Sequence, residues 1–342
     1  MKKLTIRLTA SFLSIGAVAV LSLFFVVRGG AVRHPGSLYI PNGSDYATLM
    51  DSLTAGAAGK RIRFVKPFEM YARHIGLTKR VKPGHYTLRR GQSIISVARM
   101  LNLGEQTPVD LVVRPARLPG ILAGRVASQL AVDSASLHAA MRDPATLREF
   151  GFDNELELFS IFIPNTYEVW WTESPRDFLA RMKREYDRFW NDDRVAKLAR
   201  TRLSRMEAIT LASIMVEETQ KTDEMPTIAG VYINRLRTGM PLQADPTVKY
   251  AMGDFALRRI LNKHLKTPSP YNTYVNRGLP PTPITMPSIA AIDAVLNFEN
   301  HKYLYFCARE DFSGYHSFAE TYAAHLQNAR RYAAELNRRG IR

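Results

Sequence analysis

The stretch SRMEAITLASIMVEET, residues 204–219, decides the fold. Ser204 is a strong N-cap residue, and the Ala, Ile, Leu, Met and Glu that follow are good helix formers, so a helix is predicted here. The run is mostly apolar until it meets two adjacent carboxylates, Glu217 and Glu218. At about 100° per residue, Glu218 falls within about 60° of Leu211, Ile214 and Met215, on the core-facing stripe. Glu217 falls near Met206, Thr210 and Ser213, on a mixed and wetter side. A carboxylate on an apolar face either pairs with an Arg or Lys, or its pKa climbs until it holds a proton near neutrality. A retained proton is what a general acid needs to protonate a leaving oxygen. Periodicity alone leaves both readings open.

Downstream, DEMPTIAGVYINRLRTG (223–239) predicts a second helix, with Pro226 near its first turn and Gly239 at its end. A loop then reaches Asp245-Pro246, the pair expected of an N-cap and a first helical position. Residues 269–288, SPYNTYVNRGLPPTPITMPS, form a long Pro- and Gly-rich loop bearing Tyr and Asn. Loops of that length inside a compact domain tend to be binding loops. A capped helix from Ser288, a strand at KYLYFCA (302–308) and a long terminal helix complete the chain. On the last, Tyr322, Leu326, Ala329, Ala333 and Leu336 share one stripe.

Upstream, residues 38–116 read as a small mixed subdomain. Ser44 caps a helix carrying Tyr46, Leu49, Met50 and Leu53. A strand at Tyr86–Leu88, a Gly91 turn and a Ser93-capped helix closed by Gly104 follow, then a strand at VDLVVRPA (109–116). From 117 to 200 the reading is helical, broken by FSIFIPNTYEVWW (159–171). That aromatic run is either a buried hairpin or the wall of a sugar cleft, since flat rings pack on pyranose faces. Cys307 reads as a buried strand residue. With one cysteine, neither an internal disulfide nor a cysteine-based zinc site can be built.

The N-terminus carries Lys2, Lys3 and Arg7, then twenty uncharged residues from Leu8 to Val27. Twenty residues at helical rise span about 30 Å, a bilayer's hydrocarbon thickness. A signal peptide's apolar core is shorter, and Ala17-Val18-Ala19 lies inside the run rather than after it, which favours an uncleaved transmembrane helix over a cleaved signal. The short basic leader keeps residues 1–7 in the cytoplasm and places the rest outside. Net charge is +16, from 47 basic and 31 acidic residues. The bases are dispersed, so the charge fits anionic membranes and wall polymers, and nucleic acid is not expected as a partner.

In this order, ASIMVEET, IAGVYINRL, MPLQADPTV, SPYNTY, GLPPTPI and YLYFCA with GYHSF resemble the endolytic murein transglycosylase (YceG-like) family, from about residue 40 to the C-terminus. YTLRRGQSIISVARML (86–101) separately resembles the first half of a LysM module, a fold that binds N-acetylglucosamine polymers, though the module's second helix is not evident. The expectation is therefore an α+β protein: leader 1–7, transmembrane helix 8–27, linker 28–37, LysM-like α/β subdomain 38–116 and mixed α+β catalytic domain 117–342. The resemblance implies a lytic transglycosylase of the bacterial inner membrane, facing the periplasm. It would cut the MurNAc-β-1,4-GlcNAc bond of nascent peptidoglycan strands and leave a 1,6-anhydro end. Peptidoglycan synthases are its implied partners.

The family's catalytic glutamate, second of a Glu-x-Glu pair, falls on Glu218. The first falls on Val216, which suggests that the other carboxylate is dispensable. Where the family has Pro-Asp-Thr-Tyr, this chain has Pro164-Asn165-Thr166-Tyr167. The resemblance further implies that Tyr167, Asn234, Gln243, Asp245, Thr247, Tyr271, Asn272, Thr273, Tyr274 and His316 bind substrate or brace the cleft. Asp245 could instead be a helix cap, and His316 a satisfied core histidine. Hydrolases generally need two carboxylates, whereas a transglycosylase consumes no water and needs one. A muramidase using Glu218 with Asp245, and a non-catalytic wall-binding scaffold, are the alternatives. No nucleotide, dinucleotide or metalloprotease motif occurs, so no cofactor or metal is called for.

Overall fold

A computed structural model describes residues 30–55, 60–257 and 259–340. The expected transmembrane helix at 8–27 and the leader before it lie outside these residues. Among the described residues no helix is long and apolar enough to cross a membrane. The fold is mixed α+β, many helices with small sheets, and divides into two compact units.

The first unit comprises the described residues up to 111 with 129–132 and 167–174. Strand β1 (Gly36–Ile40) pairs antiparallel with β2 (Gly84–Leu88), from Gly36 opposite Leu88 to Ile40 opposite Gly84. Between them run α1 (Tyr46–Thr54) and α2 (Val65–His74), and α3 (Ile94–Leu103) follows β2. Leu38, Leu49, Leu53, Phe68, Tyr86, Val97 and Leu101 fill the core. The cap of α1 is Asp45, not Ser44: its carboxylate accepts from the Thr48 amide at 2.8 Å. Both are capping residues, and the sequence does not fix which one turns in. Ser93 and Gly104 bound α3 as expected. No second helix follows α3 before β3 (Val109–Val113), and β2 takes β1 as its sheet partner, so the LysM-like reading extends no further than the strand–turn–helix.

The first described residues of this unit are firmly held. Val32 bridges Ile62, the Ala31 amide donates to the Gln92 carbonyl at 2.7 Å, and the Arg63 amide donates to the Ala31 carbonyl at 2.8 Å. Ala31 and Val32 are buried.

The second unit holds residues 112–128, 133–166 and 175–342. Its helices are α4 (Pro119–Ala127), α5 (Ser134–Arg142), α6 (Pro144–Phe150), α7 (Glu155–Phe159), α8 (Pro175–Phe189), α9 (Asp192–Thr201), α10 (Arg205–Glu218), α11 (Met225–Thr238), α12 (Asp245–Met252), α13 (Ile289–Leu296) and α14 (Tyr322–Arg338). Strand β5 (Tyr305–Ala308) pairs antiparallel with β6 (His316–Ala319), while β4 (Asn165–Val169), which pairs with β3, has Tyr167–Val169 in the first unit, as β3 has Val109–Leu111. Phe159 and Phe162 are buried, so that part of the aromatic run is core.

Helix α10 is the axis of this unit. Ser204 and Glu207 form a capping box at its start, and every residue from Ala208 to Met215 is buried. Its neighbours include α11, α12 and α13. The wetter side expected from the wheel is therefore absent over those eight positions. Ser213 and Thr210 are enclosed, with the Ser213 hydroxyl donating to the Thr210 carbonyl and accepting from the Ile284 amide at 3.0 Å. A helix buried all round hides its polarity pattern, because a small hydroxyl satisfied by backbone, as at Ser213, passes as a core residue, while the Thr210 hydroxyl is enclosed without a hydrogen-bond partner. On α14, conversely, no residue is fully buried and Tyr322 is exposed, so its stripe covers rather than fills.

Candidate active site

The two glutamates part at the last turn of α10. Glu217 turns to Arg117, whose guanidinium nitrogen sits 2.8 and 2.6 Å from its two carboxylate oxygens. Glu218 turns instead into a cavity of about 260 Å³ within the second unit. Tyr232 and Arg235 of α11, Leu242 and Gln243 of the following loop, Asp245 of α12, Tyr274 of the long loop, Phe306, Cys307 and Ala308 of β5, and His316 of β6 line the rest.

Glu218 is half-buried and forms part of the cavity wall. The Tyr232 hydroxyl donates to its Oε1 at 3.2 Å. Burial dominates the electrostatics and lifts the carboxyl from its ordinary 4.5 to about 7, with Asp245 and Glu217 adding to the rise. The Tyr232 hydrogen bond and the charge of Arg235 oppose it. The negative end of α10 further disfavours the anion.

Arg235 is buried and makes no salt bridge with a carboxylate among the described residues; desolvation lowers its pKa. Its Nε donates to the Leu304 carbonyl at 2.6 Å and its Nη1 to the Leu242 carbonyl at 2.7 Å. One side chain thus ties the loop before α12 to the approach of β5. Gln243, the next residue of that loop, is held at φ +49°. A non-glycine residue there is strained and persists only where its surroundings over-determine it. Here the Gln243 amide donates to the Thr273 carbonyl at 3.2 Å, and the Ala244 amide to the Thr273 hydroxyl at 3.0 Å.

Asp245 is no helix cap. Ala244 occupies that position, and Asp245 Oδ1 accepts from the Tyr274 hydroxyl at 2.7 Å. His316 belongs to the cavity wall while also being satisfied: its Nδ1 lies 2.6 Å from Glu224, a buried carboxylate that also accepts the His316 amide. Phe306 meets the Tyr232 and His316 rings edge-on, at 5.7 and 5.2 Å. Cys307 is half-buried in this wall, not a core residue, because β5 has one side on the cavity.

Of the residues singled out from sequence, the cavity therefore gathers Glu218, Gln243, Asp245, Tyr274 and His316. Asn234, Thr247, Tyr271, Asn272 and Thr273 lie outside its lining and brace it. Asn234 Nδ2 donates to the His301 and Tyr303 carbonyls, and Asn272 Nδ2 to those of Leu265 and Thr267. Thr247 and Thr273 share a buried hydroxyl pair at 2.8 Å, and the Tyr271 hydroxyl meets Thr282 at 2.6 Å. Tyr167 lies in β4 and is not a lining residue. Sequence reasoning missed Tyr232, Arg235 and Glu224. A signal existed for one of them: Arg235 shares a buried helical stripe with Ile228, Val231 and Tyr232, where a guanidinium is out of place.

The YceG-like family profile matches residues 38–331. An endolytic murein transglycosylase of Bacillus subtilis (strain 168) is 25% identical over 315 residues, covering 88% of this chain and 86% of that one. One from Streptococcus pneumoniae serotype 2 is 39% identical over 106 residues, 30% of this chain and 19% of the relative. A crystal structure of a YceG-like protein from Listeria monocytogenes is similar over 86% of this chain and 99% of that one, with 26% identity and a TM-score of 0.55.

Proposed function

The chain belongs to the YceG-like family, and from that premise we propose that it is an endolytic peptidoglycan lytic transglycosylase with Glu218 as its single acid–base residue. Protonated Glu218 gives its proton to the glycosidic oxygen as the MurNAc-β-1,4-GlcNAc bond breaks, and the GlcNAc hydroxyl departs. The muramic acid 6-hydroxyl bonds to the anomeric carbon and returns its proton to the Glu218 carboxylate, closing the 1,6-anhydro ring. No water enters and the enzyme ends as it began. The observation that carries this reading is one carboxyl raised to about 7 in a polar cavity, available both as acid and as base near neutrality.

Mass spectrometry of glycan strands incubated with the protein tests it. Anhydro-muramic ends are expected, and Glu218→Gln should slow their formation by roughly 10²–10⁴. Asp245 in the same cavity supports a second reading, hydrolysis with two carboxylates; reducing muramic ends would identify it.

The apolar run 8–27 supports an uncleaved single-pass anchor in the bacterial inner membrane, with the remaining chain in the periplasm and synthases of nascent strands as neighbours. Retention in membranes washed with carbonate tests the anchor.

A further inference from the structure

At the chain's entry into the first unit, Arg33, Arg63 and Arg90 stand around a cavity of about 390 Å³ floored by Gly30 and Gly91. The three come from separate segments brought together by the backbone bonds at Ala31 and Arg63. All three are exposed, and among the described residues none forms a salt bridge with a carboxylate. The floor is tight backbone: a Cβ on Gly30 would stand 3.3 Å from the Gly91 Cα. Forked guanidiniums around such a floor suit a phosphate group, which they bind in pairs of hydrogen bonds.

The position of the cavity selects the source of that phosphate. Ala31 is buried and bonded, which makes it a fixed point of the first unit. Four residue steps separate it from Val27, the end of the apolar run, a reach of at most about 14 Å. The headgroup layer on one side of a bilayer is about 5–8 Å deep. Resting on the anchor proposed above, this tether holds the three arginines at the lipid surface. We propose that the Arg33–Arg63–Arg90 cavity binds the headgroup of an anionic phospholipid in the leaflet that the first unit faces.

Each arginine near an anionic surface is worth about a fivefold change in binding. The test uses the full chain in detergent, titrated with phosphatidylglycerol or phosphatidylcholine and read by native mass spectrometry. Phosphatidylglycerol should bind about tenfold or more tightly than phosphatidylcholine. Replacing Arg33, Arg63 and Arg90 together by Gln should abolish that preference. Replacing Arg184, Arg200 and Arg330 by Gln removes the same charge elsewhere and should leave it intact. Equal losses in the two triple variants would mean general charge attraction, and full displacement by millimolar inorganic phosphate would mean a free-anion site; either overturns the proposal. Carbonate extraction separates anchor from lipid site: release of the wild type overturns the anchor and this proposal with it. Retention without lipid preference overturns the proposal alone.

Discussion

Glu218 keeps its proton to about pH 7 in the folded chain, against 4.5 for an ordinary glutamate. Folding therefore takes up a proton between those values. The native state is most favoured, as far as this group is concerned, below about pH 4.5, and that advantage is lost as pH rises through about 7, a span on the order of 3 kcal/mol. Glu218→Gln removes the titration, so it should raise the melting temperature more at pH 8 than at pH 5; equal shifts would refute the burial argument. Tyr232→Phe removes a hydrogen bond that favours the anion. The alkaline limb of kcat/KM should then move up, by as much as about one pH unit. That Glu218 rather than Glu217 turns inward was legible from the helical wheel, because it ends the apolar stripe, and the family motif falls on the same residue. Tyr232 was not, since a tyrosine in a buried stripe looks the same whether its hydroxyl meets a carboxylate or a carbonyl.

Among the elements, α11 shows how a loop is made to support the cavity. Residues 299–303 lie along it as a strap: the Glu299 amide donates to the Pro226 carbonyl, Thr227 Oγ1 to the Glu299 carboxylate, and Asn234 to two strap carbonyls. The approach is close at Gly230, where a Cβ would stand 2.5 Å from the Glu299 carbonyl oxygen. Helix propensity alone predicts that Gly230→Ala stabilises by about 1 kcal/mol. Overpacking against backbone should reverse the sign, giving a net loss of about 1–3 kcal/mol in chemical denaturation. Caps at Ser93, Ser204 and Ser288 could be read in advance, since a cap is a local signal. The role of Asp245 could not, because its partner Tyr274 lies 29 residues away in a loop without periodicity.

At the scale of the molecule, the order of the motifs gave the family, but not the contacts that make the site. Arg117 and Glu217 are one hundred residues apart, and Arg235 reaches Leu304 across 69. Sequence patterns carry local geometry, whereas such pairs depend on how whole helices pack. The dispersed charge raised the expectation of anionic surroundings, but it did not single out Arg33, Arg63 and Arg90, which come from separate segments and meet only in the folded first unit.

The enclosure of α10 has a kinetic consequence. Amides from Ala208 to Met215 have no route to solvent short of unfolding the second unit, so their deuterium uptake should track global opening and rank among the slowest. Glu218 sits one turn beyond that protected segment, beside the cavity mouth, and its own amide should exchange measurably faster. If so, a yielding tip is carried on an immobile shaft, and in the acid–base role proposed for it Glu218 would readjust without loosening the core.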